Sequence, residues 1–155
     1  ASSMGRLFDA VSFLCGLRIR NSFEGEAAMA LEYYAEENMD RVYPLEISED
    51  GEIGIDVLLE GIVEDIKNGL HVSIISGSFH NWVARIILEM SKGIRGNMGI
   101  SRVVLSGGVF QNKLLMKKAV ALLRENNFEV YFNKIVPPND GGISFGQIGH
   151  YIYSK

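Results

Sequence analysis

The sequence predicts an α/β fold that is mainly helical in its first half, and two features carry that expectation. The second half alternates strand, glycine turn and helix twice between Arg102 and Tyr153, an order that sets parallel strands side by side under covering helices. The first half instead carries apolar residues at three- and four-residue steps, the period of amphipathic helices. With 155 residues, 47% hydrophobic and 22% charged, the chain is long enough for one compact domain over residues 1–155 with its own core.

Met4, Leu7, Phe8, Val11, Leu14 and Cys15 mark the first helix, with Ser2 or Ser3 as its cap and Gly16 as its stop. Ser22 opens a second, with an apolar stripe of Ala27, Leu31, Tyr34 and Ala35. The glutamates between residues 24 and 37 read as its solvated face. Arg41–Ile47 and Glu52–Ile55 flank Glu49-Asp50-Gly51, the pattern of a short hairpin. Asp56 caps a third helix that stops at Asn68-Gly69, and a long fourth runs from Val72 to about Gly93. Arg102–Ser106 is a strand ending in Gly107-Gly108, followed by a helix over Gln111–Glu125. Phe128–Asn133 is the next strand, and PPNDGG separates it from a last helix over Ile143–Tyr153. A helix pattern begins within a few residues of Ala1, so the chain reads as a piece of a longer protein.

The formal net charge of -4 and a pI near 5.4 argue against a protein built to neutralise nucleic-acid phosphates. One cysteine excludes an internal disulfide and points to a reducing, cytoplasmic setting. No apolar stretch is long enough to span a bilayer, and the first residues lack the pattern of a signal peptide.

Chemistry concentrates at the two glycine turns. In LSGGVFQN, paired glycines let backbone approach a ligand, and the helix that follows points free amides toward the same space, a seat for phosphate. Asn112 stands in the first turn of that helix, within reach of a ribose or phosphate. The other reading is a tight turn without a ligand. In VPPNDGG, Asp140 precedes a helix start and is either its cap or a carboxylate placed to hold a metal or steer a phosphate. Gly5 and Asp9 lie one turn apart on the first helix, where a carboxylate can accept from ribose hydroxyls or simply face solvent. Cys15 falls on an apolar stripe and reads as core. His71 and His150 read as surface or helix-end residues. His80 reads as packed or capping, with the cleft as the less favoured side.

Taken together, ASSMGRLFDAVSFLCGL, FEGEAAMALE, VVLSGGVFQNKLL and VPPNDGGISFGQ resemble successive stretches from the C-terminal end of HypF-type carbamoyltransferases. They are similar, more distantly, to the tRNA threonylcarbamoyl transferase TsaD and to antibiotic O-carbamoyltransferases. The likeness runs from the first residue to about Gly149. It implies the second lobe of an actin/heat-shock ATPase-like (ribonuclease H-like) fold with a mainly helical insertion. It also implies that the chain is the C-terminal lobe of a TsaD-like domain within a larger enzyme.

By the same resemblance, Asp9 contacts a ribose, Gly25 lies along the nucleoside, Gly107 and Gly108 pass the phosphates, and Asn112 binds the nucleotide. Asp140 would ligate a divalent metal whose other ligands, a histidine pair among them, lie outside this chain. Glu24 and Glu26 depart from the relatives, which often carry Gly and Pro there. The implied reaction takes carbamoyl-adenylate, made in another domain from carbamoyl phosphate and ATP. It transfers the carbamoyl group to the C-terminal cysteine of HypE, on the route to the cyanide ligands of nickel–iron hydrogenase. HypE and the remaining domains of the same polypeptide are the implied partners, with no nucleic acid and no membrane, and the stretch alone is expected to be inactive. The competing readings are a tRNA threonylcarbamoyl transferase-like enzyme, a kinase-like member of the fold, and a non-catalytic nucleotide-binding module.

Overall fold

The computed structural model describes residues 3–48 and 50–154. Ser2, an alternative cap above, and Glu49 of the expected hairpin turn lie outside the described residues.

The first helix, α1 (Met4–Leu14), is capped by Ser3, whose hydroxyl accepts from the Arg6 amide at 3.4 Å, and the chain leaves it through Gly16 at φ +70°. The second, α2 (Glu26–Tyr34), starts later than expected. The Ser22 amide donates to Glu26 Oε2 at 2.6 Å, and Arg18 Nε donates to Glu26 Oε1 at 3.0 Å. Those two bonds close a turn in place of a first helical turn, and hold the Glu26 carboxyl below the usual carboxylate range. Ala27 and Leu31 are buried as predicted, whereas Tyr34 is 47% exposed and off the buried stripe.

The hairpin forms, but only as β1 (Glu46–Ile47) antiparallel to β2 (Ile53–Gly54). Residues 41–44 are committed elsewhere. Asn81 Nδ2 donates to the Met39 and Arg41 carbonyls at 2.9 and 2.8 Å, and Trp82 Nε1 to the Pro44 carbonyl at 2.9 Å. Arg41 forks onto Asp65 at 2.9 and 2.7 Å, and the Tyr43 hydroxyl donates to the same carboxylate. Asp65 belongs to α3 (Asp56–Lys67), in which Asp56 is the first helical residue and makes no side-chain cap bond.

The long α4 (Val72–Met98) is capped by His71, passes Gly93 and Gly96, and ends at Gly99 with φ +71°. It is the axis of the molecule. Ile75, Phe79, Trp82, Val83 and Leu88 of α4 pack with Phe8, Val11, Leu31, Leu58 and Ile62, all at most 1% exposed. Phe8 meets Phe79 edge to face at 4.8 Å, and Phe79 stacks on Trp82 at 6.3 Å. Each such side chain contributes about 1.5–3 kcal/mol by leaving water.

Strand β3 (Arg102–Leu105) leads through a 3-10 turn at Gly108–Gln111 into α5 (Lys113–Glu125) and then β4 (Glu129–Phe132). The strands are parallel, with Arg102 opposite Glu129 and Leu105 opposite Phe132, as the alternation predicts. A 3-10 turn at Asp140–Gly142 starts α6 (Ile143–Tyr153), which buries none of its residues. The architecture is α/β. Among the described residues no helix is long and apolar enough to cross a membrane.

Candidate functional site

The two glycine turns are joined directly. Gly107, at φ +109°, donates its amide to the Pro138 carbonyl at 2.8 Å, so the strand ends present both turns at one edge. That φ is open to glycine and strained for other residues. At Gly142 the constraint is space: a Cβ there would sit 2.7 Å from the Pro137 carbonyl.

Asn112 is the cap of α5 rather than a residue of its first turn. Its Oδ1 accepts from the Leu115 amide at 2.8 Å, and its Nδ2 faces His80 Nε2 at 2.9 Å. The amides of Lys113 and Leu114 donate to Glu32 Oε1 at 2.7 and 3.2 Å. The start of α5 therefore offers no free amide at these three positions, against the sequence expectation. A carboxylate 81 residues away already occupies the helix's electropositive end. Glu37 pairs with Lys117 at 2.9 Å at the exposed surface, so it is Glu26 and Glu32, tied to backbone amides, that leave the expected solvated face.

At the second turn the cap is Asn139, which accepts from the Gly141 amide at 3.1 Å. Asp140 does not cap: its carboxylate is exposed and has no side-chain partner among the described residues. Among those residues no group of three His, Cys, Asp or Glu could hold a metal. Asp140 can supply one oxygen ligand, and the described residues do not complete a metal site around it.

An open cleft of about 740 Å³ lies between α1, α2 and the first glycine turn. Gly25, Gly108 and Asn112 line it, with Phe8, Ala28, Met29 and Val109 as apolar wall and Glu24 and Glu32 as carboxylates. An apolar surface with a few fixed polar groups is the usual character of a small-molecule site. Asp9 is not among the lining residues. It is half-buried on α1 and receives a long 3.5 Å contact from Asn21 Nδ2. Gly107 and Asp140 likewise stand beside the cleft rather than in its wall.

His80 is wholly buried, and desolvation pushes its imidazole down to about 4. Burial pushes the Cys15 thiol up to about 11, which suppresses the thiolate and agrees with a packing role. His71 caps α4 from an exposed position, and His150 is exposed on α6. Sequence reasoning missed Glu32 and the contact of His80 with Asn112. Both join residues far apart in the chain, and no local pattern announces such pairs.

The family model for the second subdomain of the carbamoyltransferase Kae1-like domain matches residues 1–147. A carbamoyltransferase HypF from Synechocystis is 34% identical over 151 residues, covering 95% of this chain and 19% of its own length. A full-length HypF solved in a phosphate- and nucleotide-bound form superposes with a TM-score of 0.92 at 44% identity, over 99% of this chain and 21% of that one. A tRNA N6-adenosine threonylcarbamoyltransferase from Nanoarchaeum equitans is 30% identical over 66% of this chain and 33% of its own length. The chain thus spans about a fifth of the HypF relatives it matches. Its fold, its glycine turns and these likenesses agree: the chain belongs to the HypF carbamoyltransferase family and corresponds to the second subdomain of the Kae1-like domain.

Proposed function

We propose that this chain forms one wall of the nucleotide site in a carbamoyltransferase that works through carbamoyl-adenylate and delivers the carbamoyl group to the C-terminal cysteine of HypE. One observation carries the reading. Gly25 and the pair Gly108 and Asn112, from two stretches far apart in the chain, line one cleft beside the joined glycine turns. The phosphate end passes close to the backbone at Gly107 and Gly108, Asn112 binds the nucleotide, and Asp9 meets the ribose from the neighbouring helix. The acceptor thiolate attacks the carbamoyl carbon, the bond to the AMP oxygen breaks, and AMP departs with the electron pair. Stabilising that departing charge with fixed dipoles is where such a wall contributes most. Asp140 contributes one carboxylate to a divalent metal whose other ligands lie on residues outside this chain.

Those residues belong, in this reading, to further domains of the same polypeptide, and two features support their presence. Parallel strands are ordinarily covered on both faces, yet Val104 and Tyr131 are 68% and 52% exposed. Ile143, Phe145 and Ile148 of α6 are also more than half exposed. The likeness to tRNA-modifying enzymes favours a second reading, with tRNA as acceptor, which the acidic charge of the chain opposes.

Gly108→Leu in the full-length protein tests the site. A Cβ there meets nothing nearer than Asn139 Cβ at 3.9 Å, so a side chain can leave the backbone without a clash while the cleft loses space. The expected outcome is at least a tenfold loss of ATP and AMP affinity by calorimetry, an order-of-magnitude figure for filling a ligand pocket, with an unchanged circular dichroism spectrum. Undiminished affinity overturns the assignment. Mass spectrometry of HypE and of tRNA after turnover separates the two acceptors.

A further inference from the structure

The pair His80 and Asn112 joins the core to the cleft, and its hydrogens can be placed from the backbone alone. Leu115 presents an amide that can only donate, so the Asn112 atom 2.8 Å away is the carbonyl Oδ1. The amide nitrogen of Asn112 therefore faces His80 Nε2 at 2.9 Å. At the other side of the ring, Nδ1 lies 2.8 Å from the Ser76 carbonyl, which can only accept, so Nδ1 carries the proton. The Ser76 hydroxyl donates to the Leu31 carbonyl at 2.6 Å. Nε2 is thus a lone pair that accepts from Asn112, and both ambiguities of ring and amide resolve consistently.

A carboxamide has two N–H groups and two carbonyl lone pairs. Asn112 commits one of each, to His80 and to Leu115. One of each remains on a side chain that is 9% exposed and lines the cleft. If the ring pressed a second N–H toward Nδ2, the amide would have to rotate and give up its cap on α5.

We propose that His80 is a positioning residue: as a neutral acceptor it locks the Asn112 carboxamide in one orientation, so that the spare N–H and the spare lone pair meet a ligand group that both donates and accepts. The hydroxyl of a nucleoside sugar is such a group. This rests on the nucleotide reading of the cleft. Without the lock only the Leu115 amide holds the orientation, and the flipped amide, which suits neither the helix nor the ligand, gains population. His80 touches no ligand and takes part in no bond change.

The test uses two substitutions that divide the ring in half. In the full-length protein, His80→Asn keeps a donor near the Nδ1 position for Ser76 and loses the acceptor at Nε2. His80→Gln reaches the Nε2 position with a carbonyl. The expected result is an ATP affinity about fivefold to tenfold lower in His80→Asn, the scale of one hydrogen bond, and within about twofold of the parent in His80→Gln. Combined with Asn112→Ala, the His80→Asn change should add nothing further, because both act through the same amide. Thermal melting is read on every variant. A purely structural histidine predicts lowered melting temperatures with unmoved affinities, and that result overturns the proposal, as does an additive double variant. Asn112→Ala with parental affinity would overturn the nucleotide reading itself and this inference with it, whereas a loss there beside a parental His80→Asn would sink only the role of His80.

Discussion

The two glycine turns share one grammar, strand end, glycine pair, helix start, yet they are finished differently. At the first, the chain satisfies the helix amides itself, with Asn112 and Glu32, and anchors Asn112 to the buried His80. At the second, Asn139 closes the turn locally, and Asp140 stands exposed beside it with no side-chain partner among the described residues. One turn is closed by long-range contacts, and the other leaves a carboxylate for something else. The same motif can therefore serve as a rigid cradle or as an open ligand, according to which neighbours reach it.

Breaking the closure of the first turn should have the largest effect. Glu32→Ala strips two amides of their acceptor at the positive end of α5, a loss of about 1–3 kcal/mol. Hydrogen exchange at Lys113 and Leu114 should accelerate by roughly tenfold or more, and Glu32→Gln should recover most of the protection. Unchanged exchange would mean that these amides do not depend on Glu32.

Acid should separate the turns next. The His80 imidazole is held at about 4 by burial, while an unfolded histidine protonates near 6.5. Between those values the unfolded state binds more protons, so stability present above about pH 6.5 drains away as pH falls toward 4. At pH 5 the loss is on the order of 2 kcal/mol, measured as the shift in urea unfolding of this chain between pH 7 and 5. His80→Gln should lack that component, and an equal shift in the variant would refute its origin in His80.

Smaller effects belong to the second turn. Asn139→Ala removes a local cap, about 1 kcal/mol, read as faster exchange at Gly141. Asp140→Ala should stay within about 0.5 kcal/mol of the parent, because the carboxylate caps nothing. In the full-length protein the same variant should still form carbamoyl-adenylate while losing bound metal and thiocarbamate on HypE. Normal transfer with normal metal content would remove Asp140 from the site.

Much of the architecture was legible in the sequence because it rests on local periodicity. The helices α1, α4 and α5 and the parallel pairing of β3 and β4 came through as read. Boundaries failed where a distant group intervened. The last turns of α4 outrun Gly93 because Arg95 is anchored on the Asn126 carbonyl at 2.8 Å and over the Phe128 ring at 4.0 Å. Only Gly99 takes the positive φ that ends the helix. The length of the hairpin failed for the same reason, since Asn81 and Trp82 claim backbone that pattern alone assigns to regular structure, and the start of α2 failed for a local one, the turn that Glu26 closes on the Ser22 amide. At the site, the position of the glycine turns was readable from composition. Which of two adjacent residues, Asn139 or Asp140, performs the capping was not, since both types suit the role.

The helix that follows the second turn gives this arrangement a thermodynamic order of events. An eleven-residue helix with no buried side chain draws little from packing, and helices of that length are marginal in water by themselves. A surface that covers α6 would therefore add the free energy that keeps this helix in register behind the turn bearing Asp140. The turn itself is closed first, by the Asn139 cap and the bond from the Gly107 amide to the Pro138 carbonyl, and the helix behind it would firm up only when a covering surface docks.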